Sequence, residues 1–198
     1  IFSSLDAEEI QNVVSLIVHK QYSKGELIIF EGSNLESLII INEGRVKAFR
    51  HTYEGKEQIL YIFSAGDFFG EKNLIINQEA TYSVEALEET NICMIRKDDF
   101  RRLLKEYPML SFKIMEELVI RLAHMEDLVE NMGAKNVESR INGVLLEFAK
   151  KYGRSNSKGI IVELLLSREG IANYIGLTRE TVSRKMSLLQ DEGIIEMV

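Results

Sequence analysis

The sequence predicts an α+β protein in which an antiparallel β-region comes first, one long helix follows and a compact helical segment comes last. Three observations predict this order. Short apolar runs alternate with glycines over residues 20–97, apolar residues recur every three or four positions over 108–132, and two short helical patterns flank a glycine within 167–190. These different periods distinguish strands from helices.

The composition is that of a globular protein without a membrane span. Hydrophobic residues make up 45% and charged residues 28% of the 198 residues, which is ordinary for such proteins. No apolar run approaches the roughly 20 residues that cross a bilayer, and no signal-peptide pattern is present. We therefore expect a cytoplasmic protein with no membrane partner. The single cysteine, Cys93, excludes an internal disulfide and a cysteine-ligated cluster within one chain.

The β-region, assigned to residues 1–107, has six strand candidates whose spacing favours an antiparallel sandwich or barrel. They read ELIIF, SLIII, RVKAF, EQILYIF, TYSVEAL and NICMIRK, at residues 26–30, 37–41, 45–49, 57–63, 81–87 and 91–97. Glycine supplies turn conformations that other residues resist. Five glycines recur at intervals of 7 to 12 residues through this region: Gly25, Gly32, Gly44, Gly55 and Gly66.

Residues 108–133 are predicted to form one long helix that joins two copies of the chain. Proline suits a first helical turn and glycine a helix end, which places this helix between Pro108 and Gly133. The alternative is an ordinary helix packed on its own sheet. The spacing of 3, 4, 3, 4 and 3 favours the seam of a parallel coiled coil, formed by Met115, Leu118, Leu122, Met125, Val129 and Met132.

The last region, 134–198, begins with three simple patterns. The segment 134–153 is predicted to be a helix, 154–158 a polar loop, and 159–166 a strand. At the other end of the region, the sequence DEGIIEMV is similar to the turn and first strand of a wing that is cut short at residue 198.

Residues 167–190 carry the pattern of a helix-turn-helix. Ser167 suits the N-cap of a first helix and Thr178 that of a second, while Gly176 permits the sharp turn between them. A small residue is needed where two crossing helices approach closely, and Ala172 provides it. The inward faces of the two helices are predicted to consist of Ile171, Ala172, Ile175, Val182, Met186 and Leu189.

The outward face of the second helix suits DNA. Recognition helices meet base edges in the major groove near their N-termini. Arginine can donate twice to guanine, glutamate can accept from cytosine, and hydroxyl groups can donate to phosphates. The alternative is that Glu180 and Arg184 form only a surface ion pair. We predict base contacts by Arg179, Glu180, Ser183 and Arg184, and backbone contacts by Ser167, Thr178, Thr181 and Ser187.

The charge distribution is compatible with a DNA contact at one end of the chain only. The formal net charge is −7, yet residues 133–198 carry 10 Lys and Arg against 8 Asp and Glu, whereas residues 1–132 carry 14 against 23. Opposite signs in two segments indicate regions with different partners. The positive excess is small, so we expect weak non-specific binding to DNA.

Together these motifs resemble the CRP/FNR superfamily of bacterial transcription regulators. The resemblance rests on GEL, GDFFGE, VESRI and IANYIGLTRETVSRKMSLLQDEGII and on their order. It implies an N-terminal β-roll (a jelly roll of the cyclic-nucleotide-binding type) that senses an effector, a dimerisation helix and a C-terminal winged helix-turn-helix. It also implies a homodimer on palindromic double-stranded DNA with TGA in each half-site, preceded by G or T, and a contact with RNA polymerase. The loop 150–158 is a candidate for that contact.

The resemblance also implies an effector pocket, but one that argues against cyclic AMP. Nucleotide-binding members use a glycine and a glutamate, matched by Gly70 and Glu71, and an arginine and a serine, which Ala80 and Thr81 replace. Loss of the guanidinium removes the strongest contact to a phosphate. The hydroxyl residues that would meet the purine align with Met125 and Glu126. We predict either an unidentified small-molecule effector, or a vestigial pocket in which Gly70 forms a turn and Glu71 caps a backbone amide.

Other chemistry has little support in the sequence. His19, His51 and His124 lack metal-ligand spacing, and no nucleophile elbow, P-loop or carboxylate pair is present. We therefore predict no enzyme, no catalytic residue, no metal and no certain cofactor. Cys93 lies in an apolar strand pattern that is typical of a core residue. The alternatives are a cyclic-nucleotide-responsive regulator, a haem or redox sensor, and a ligand-binding module whose helix-turn-helix contacts only protein.

Overall fold

The computed structural model describes residues 2, 6–134, 136–157 and 159–197, with the backbone alone for 131–134. The chain divides into two compact units. The first consists of Ile1–Thr52 with Ile59–Leu122, and the second of Tyr53–Gln58 with Ala123–Val198. The division falls inside the long helix. This division does not coincide with the domain boundaries predicted at residues 107 and 133, which remain predictions.

The first unit contains two antiparallel sheets, which confirms the predicted sandwich. One sheet has the strand order β1-β8-β3-β6 and the other β2-β7-β4-β5. The strands are β1 (Ile17–Tyr22), β2 (Leu27–Ile29), β3 (Ser37–Glu43), β4 (Arg45–His51), β5 (Glu57–Ser64), β6 (Phe68–Phe69), β7 (Ser83–Ala86) and β8 (Thr90–Arg96). The five predicted turn glycines all have positive φ, between 77° and 92°.

Alternate residues of β3 build two different cores, because successive side chains of a strand point to opposite faces. Ile39 and Ile41 join a buried cluster with residues of both sheets, such as Val84 of β7. Leu38 and Ile40 face a cluster that includes residues of four helices. These helices are α1 (Ala7–Val14), α2 (Glu71–Ile76), α3 (Lys97–Glu106) and α4 (Pro108–Ala134).

The sequence pattern did not predict five elements of this unit, one of which, the strand β6, has only two residues. The strand β1 lies at a sheet edge and is largely exposed and polar, so it has no apolar alternation. The helices α1, α2 and α3 are short, between 6 and 10 residues. In α3 only Phe100 and Leu103 are buried, and two apolar positions are too few to establish a period.

The long helix α4 begins at Pro108, as predicted, and ends at Ala134, one residue beyond Gly133. Its first turns bury Leu110 and Ile114 in the same cluster as Phe100 and Leu103. The alternative reading, a helix packed on its own sheet domain, therefore describes the first turns of α4. Several apolar side chains farther along remain exposed, among them Val119 and Leu122.

The second unit contains the end of α4, two longer helices, a hairpin and a short helix. They are α5 (Val137–Tyr152), β9 (Gly153–Asn156), β10 (Gly159–Val162), α6 (Arg168–Ile175) and α7 (Arg179–Asp191). The segment Tyr53–Gln58 belongs to this unit. The Gln58 side-chain amide donates to the Asn173 carbonyl of α6 at 2.6 Å.

Three predictions for this region need correction. The segment 154–158 is not a loop, because residues 153–156 pair with β10, and an exposed two-stranded hairpin can carry polar residues on both faces. Lys158 lies outside the described residues. The strand in 159–166 ends at Val162. The first strand of a wing is not formed, since residues 194–197 pair with no strand in the described part of the chain.

Candidate nucleic-acid interface and sensor site

The helix-turn-helix is defined by two capping hydrogen bonds and one left-handed glycine, which confirm the sequence prediction. The Ser167 hydroxyl accepts from the Gly170 amide at 3.1 Å and caps α6. Gly176 ends α6 in the left-handed conformation, with φ 68° and ψ 42°. The Thr178 hydroxyl accepts from the Thr181 amide at 3.3 Å and caps α7. Each cap satisfies an amide that the helix itself leaves free.

The inner faces of α6 and α7 form the buried core of the motif, as predicted. The six predicted residues are each no more than 5% exposed: Ile171, Ala172, Ile175, Val182, Met186 and Leu189. Tyr174 is buried beside them at 2% exposure, although the pattern did not identify it. This packing fixes which side of α7 faces solvent.

The charged residues of the first two turns of α7 face solvent. Arg179, Glu180 and Arg184 are exposed, and Ser183 is half-buried. Among the described residues none of the three charged side chains forms an ion pair or a side-chain hydrogen bond. The alternative of a Glu180–Arg184 surface ion pair is therefore wrong for this structure. Two guanidinium groups and one carboxylate remain available to an external partner.

Three of the four hydroxyl residues predicted to contact the DNA backbone, Ser167, Thr178 and Thr181, lie at the N-termini of α6 and α7. The fourth, Ser187, lies more than two turns into α7. Ser167, Thr178 and Ser187 are exposed, and Thr181 is half-buried. The Thr178 and Thr181 hydroxyl oxygens are 2.9 Å apart and share a hydrogen bond. A phosphate contact by either threonine would therefore have to share or replace that bond.

An ion pair holds α7 on α5. The Lys185 ammonium lies 2.7 Å from Glu138 Oε1, and the lysine side chain is only 17% exposed. Lys185 follows Arg184 directly but faces the protein. The sequence gives no sign of this pair, because 47 positions separate its members. Lys185 is therefore not grouped with the exposed cations of α7.

A hydrogen-bond network joins one side chain from each of the helices α4, α5 and α6. The Tyr174 hydroxyl donates to Glu147 Oε1 at 3.0 Å and lies 3.2 Å from His124 Nε2. Burial, reinforced by the Glu147 carboxylate, raises the pKa of Tyr174 above its ordinary value, so the phenol keeps its proton. Because that proton is directed at Glu147, His124 Nε2 must carry the hydrogen of the second bond. A cavity of about 220 Å³ adjoins this hydrogen-bond network and is lined also by Asp127 and Arg140.

In the first unit, the backbone conformation and the close packing at position 70 require a glycine. Its φ is 97°, and a Cβ there would lie 2.8 Å from the Ser37 carbonyl oxygen, closer than any side chain tolerates. Gly70 therefore has the structural role that was predicted as an alternative to ligand contact. It directly precedes α2 and places Glu71 at the start of that helix.

Glu71 caps no backbone amide of the described residues, which corrects the second half of that prediction. The residue is 4% exposed, and its Oε1 lies 3.5 Å from Nη1 of Arg121. Its Oε2 is buried and has no hydrogen-bond partner among the described residues. The sequence did not identify Arg121, because it lies 50 positions away on α4.

At Ala80, where the sequence predicts the loss of a phosphate-binding arginine, the structure leaves almost no free space. Ala80 is buried, and its backbone amide donates a hydrogen bond to the Ser33 carbonyl oxygen. Thr81 is half-buried. The cavity beside Gly70, Ala80 and Thr81 measures about 10 Å³, which is the space of about one water molecule. Met125 and Glu126 belong to the second unit, where they are half-buried and exposed, so a pocket that they share with Glu71 stays a prediction.

The predicted seam residues of α4 differ in exposure. Met115, Leu122 and Val129 are exposed, whereas Leu118 packs partly against its own core and Met125 is half-buried. The side chain of Met132 lies outside the described residues. Phe112 and Val119, each about two-thirds exposed, share the exposed stripe. The exposed residues 112, 115, 119 and 122 thus have intervals of 3, 4 and 3, and residue 129 follows one heptad after residue 122.

The remaining sequence candidates form no further site in the described residues. Cys93 is buried, and its Sγ lies 3.5 Å from His19 Nδ1. Burial raises the pKa of this thiol, so a smaller fraction of it is present as the reactive thiolate. Among the described side chains, no three of His, Cys, Asp and Glu lie close enough to hold a metal ion. The described helices include none that is long and apolar enough to cross a membrane.

Comparisons with known proteins agree with this architecture. Residues 19–107 match the model of the cyclic nucleotide-binding domain, and residues 139–198 match that of the Crp-like helix-turn-helix domain. Electron transport regulator A of Shewanella oneidensis is 29% identical over 195 residues, which cover 98% of this chain and 78% of that protein.

Two solved structures extend the similarity to the fold. FixK2 of Bradyrhizobium japonicum has 26% identity and a TM-score of 0.80, covering 91% of this chain and 88% of its own. A variant of CooA from Carboxydothermus hydrogenoformans has 26% identity and a TM-score of 0.81, covering 99% and 89%. With both domains matched in order and the relatives being regulators rather than enzymes, the chain belongs to the CRP/FNR superfamily and is a DNA-binding transcription regulator.

Proposed function

We propose that the protein is a homodimer that binds a palindromic operator and reads each half-site with α7. The observation that carries this proposal is the set of exposed charged side chains Arg179, Glu180 and Arg184, at the capped end of a well-packed helix, which pair with no other described residue. Such residues reach base edges when the helix lies in the major groove. Since the DNA of bacteria lies in the cytoplasm, we place the protein there.

The chemistry of this surface suits a half-site containing TGA after a G or T. Arg179 and Arg184 can each donate two hydrogen bonds to a guanine, and Glu180 can accept from a cytosine N4. Ser183 would complete the reading face, and the hydroxyls of Ser167, Thr178, Thr181 and Ser187 would bind phosphates. Because the chain is acidic overall, these few contacts must supply most of the affinity.

We propose that the second copy of the chain covers the exposed stripe of α4. Five apolar side chains form this stripe: Phe112, Met115, Val119, Leu122 and Val129. Their heptad-like spacing suits a two-stranded coiled coil. The stripe keeps Met115, Leu122 and Val129 of the predicted seam and replaces Leu118 by Val119, because Leu118 packs on its own domain. A two-fold dimer would match the symmetry of a palindrome.

We further propose that RNA polymerase contacts the hairpin of β9 and β10, which includes most of the predicted loop 150–158. The exposed side chains of Arg154, Ile160 and Ile161 support this assignment. An in vitro transcription assay tests it. The Ile161→Glu variant should bind operator DNA as the wild type does and lose transcription activation, and a variant that still activates fully would contradict the assignment.

Gel-shift titration with palindromic TGA duplexes tests base reading. Arg184→Ala should lose about 1–3 kcal/mol of binding free energy and discriminate less between base pairs. Arg154→Ala, which removes an exposed cation far along the chain from α7, serves as the matched control. Base reading by Arg184 is wrong if both variants retain wild-type affinity and selectivity.

A further inference from the structure

The second unit contains a cavity between α4, α5 and α6 that the proposed function does not use. Its volume is about 220 Å³. A cavity of about 150 Å³ can hold one benzene molecule, so this cavity suits a molecule of about ten non-hydrogen atoms. Such a molecule has the size of an amino acid and is far smaller than a cyclic nucleotide.

One wall of the cavity contains a glycine that α5 does not require. Gly143 lies in the middle of this helix, where glycine is less favourable than alanine. Its φ is negative, and apart from α5 itself no atom of the described residues lies within 4 Å of the position that a Cβ would take. Neither the backbone nor close packing therefore requires a glycine here, in contrast to Gly70. What the missing side chain does provide is free space in the cavity.

The residues that line the cavity carry charges of both signs. Asp127 and Glu147 contribute carboxylates to the lining, and Arg140 contributes a guanidinium. A carboxylate binds an ammonium group strongly, and a guanidinium binds a carboxylate through two parallel hydrogen bonds. A molecule with both an ammonium and a carboxylate group can therefore pair with both kinds of side chain.

Glu147 is already oriented by its neighbours. Its Oε1 accepts the hydrogen bond from the Tyr174 hydroxyl at 3.0 Å, and His124 Nε2 lies 3.2 Å from that hydroxyl oxygen. The other carboxylate oxygen, Oε2, accepts no hydrogen bond from a described residue. A ligand would therefore meet a carboxylate that is held through one oxygen, and this orientation lowers the entropy cost of binding.

We propose that this cavity is a binding site for a small zwitterion, a free amino acid. The ammonium group of the ligand pairs with Asp127 and Glu147, and its carboxylate pairs with Arg140. The side chain of the ligand fills the space beside Gly143. Because the site joins α4 to α5 and to the helix-turn-helix, its occupancy changes the affinity for the operator. The site itself is independent of the proposed function, whereas its effect on DNA rests on that function.

Thermal denaturation of the full chain with each of the common amino acids at millimolar concentration tests binding. At least one amino acid should raise the Tm of wild type by several degrees, because a ligand that binds only the folded protein stabilises it. The amino acid with the largest effect is then used in all further measurements.

Gly143→Met and Gly143→Ala form a matched pair at the wall of the cavity. Methionine fills the space and alanine leaves most of it open, and both favour a helix more than glycine does, so circular dichroism should show two folded variants. The amino acid should raise the Tm of Gly143→Ala and not that of Gly143→Met. Both variants should sediment as wild type does. If Gly143→Met alone changes the oligomeric state, a second copy of the chain occupies this space and the proposal is wrong.

Titration calorimetry tests the chemical class of the ligand. Asp127→Asn should bind the amino acid about tenfold or more weakly than wild type, because the ammonium group loses a charged partner. Asp98→Asn, which loses an exposed carboxylate of the first unit, should bind it as wild type does. The decarboxylated amine and the N-acetylated form of the same amino acid should each bind wild type about tenfold or more weakly, since each lacks one of the two charges.

Gel-shift titration with palindromic TGA duplexes tests the effect on DNA. The amino acid should change the Kd of wild type for the duplex by about fivefold or more, which is a typical coupling between two sites. It should leave the Kd of Gly143→Met for the duplex unchanged, because the filled cavity takes no ligand.

The outcomes separate the two proposals. If no amino acid raises the Tm of wild type, or if Gly143→Met and Asp127→Asn both respond as wild type does, the site is wrong. The same conclusion follows if either single-charge analogue binds as tightly as the amino acid. If the amino acid binds and no palindromic duplex is bound at all, the proposed operator is wrong and the site is supported. Binding of both with an unchanged Kd for the duplex would contradict the effect on DNA alone.

Discussion

At the scale of single residues, Gly70 allows the cost of a steric clash to be separated from the cost of a strained backbone. Both Gly66 and Gly70 have positive φ, 92° and 97°, but only at Gly70 would a Cβ meet other atoms, namely Leu35 Cδ2 at 2.7 Å and the Ser37 carbonyl oxygen at 2.8 Å. Two substitutions with the same backbone strain therefore differ in packing alone.

We expect Gly70→Ala to reduce the free energy of unfolding by clearly more than Gly66→Ala does. The strain of a non-glycine residue at positive φ costs about 1–3 kcal/mol at either position, and the clash adds to it at Gly70 only. Urea denaturation of both variants measures the difference. Equal losses would mean that β3 moves away without cost.

Tyr174 permits a second test at this scale. Tyr174→Phe leaves the His124 Nε2 hydrogen and Glu147 Oε1 without their shared partner, so we expect a loss of about 1–3 kcal/mol in unfolding free energy. Tyr53→Phe is the matched control, because Tyr53 is fully exposed. Denaturation of the two variants side by side would contradict the network if Tyr174→Phe were as stable as Tyr53→Phe.

The pKa of Tyr174 also predicts a pH dependence. Burial raises this pKa above the ordinary value of 10.0, so above about pH 10 the unfolded chain releases a proton that the folded chain keeps. Stability from this group is complete below pH 10 and is lost as the pH rises beyond it. Wild type should therefore lose stability more steeply between pH 10 and 11 than Tyr174→Phe does. Parallel curves would contradict this assignment.

At the scale of elements, the exposed stripe of α4 predicts the oligomeric state. Val119→Glu places a charge in the centre of the proposed seam without disturbing the core of the first unit, because Val119 is 64% exposed. We expect this variant to be a folded monomer in sedimentation experiments. Ile76→Glu, at a similarly exposed apolar residue of α2, should remain dimeric. A dimeric Val119→Glu variant would refute the seam.

The elements also differ in how far the sequence could predict them. The helix-turn-helix was predicted with its caps, turn and buried face, because each depends on residues within a few positions of one another. The strand β9 was missed, since it is stabilised by pairing with β10 and not by an apolar pattern. The missing wing strand has the same physical cause: a segment without a partner strand has no ladder of hydrogen bonds.

At the scale of the whole molecule, the sensor site was predicted only in part. The sequence identified Gly70, Glu71 and the replacement of an arginine by Ala80, all within one short segment. It could not identify Arg121, because the pair that Arg121 forms with Glu71 depends on how α4 packs against the β-sandwich. The pairs formed by Lys185 with Glu138 and by Tyr174 with Glu147 were missed for the same reason.

The insertion of Arg121 among Phe63, Phe68 and Glu71 has a consequence for the movement of α4. Because the guanidinium contacts residues of β5, β6 and α2, α4 can neither turn nor slide within the first unit without breaking the hydrogen bond to the Phe68 carbonyl oxygen. Leu122 of the exposed stripe follows Arg121 directly in the chain, so any such movement would also displace the stripe.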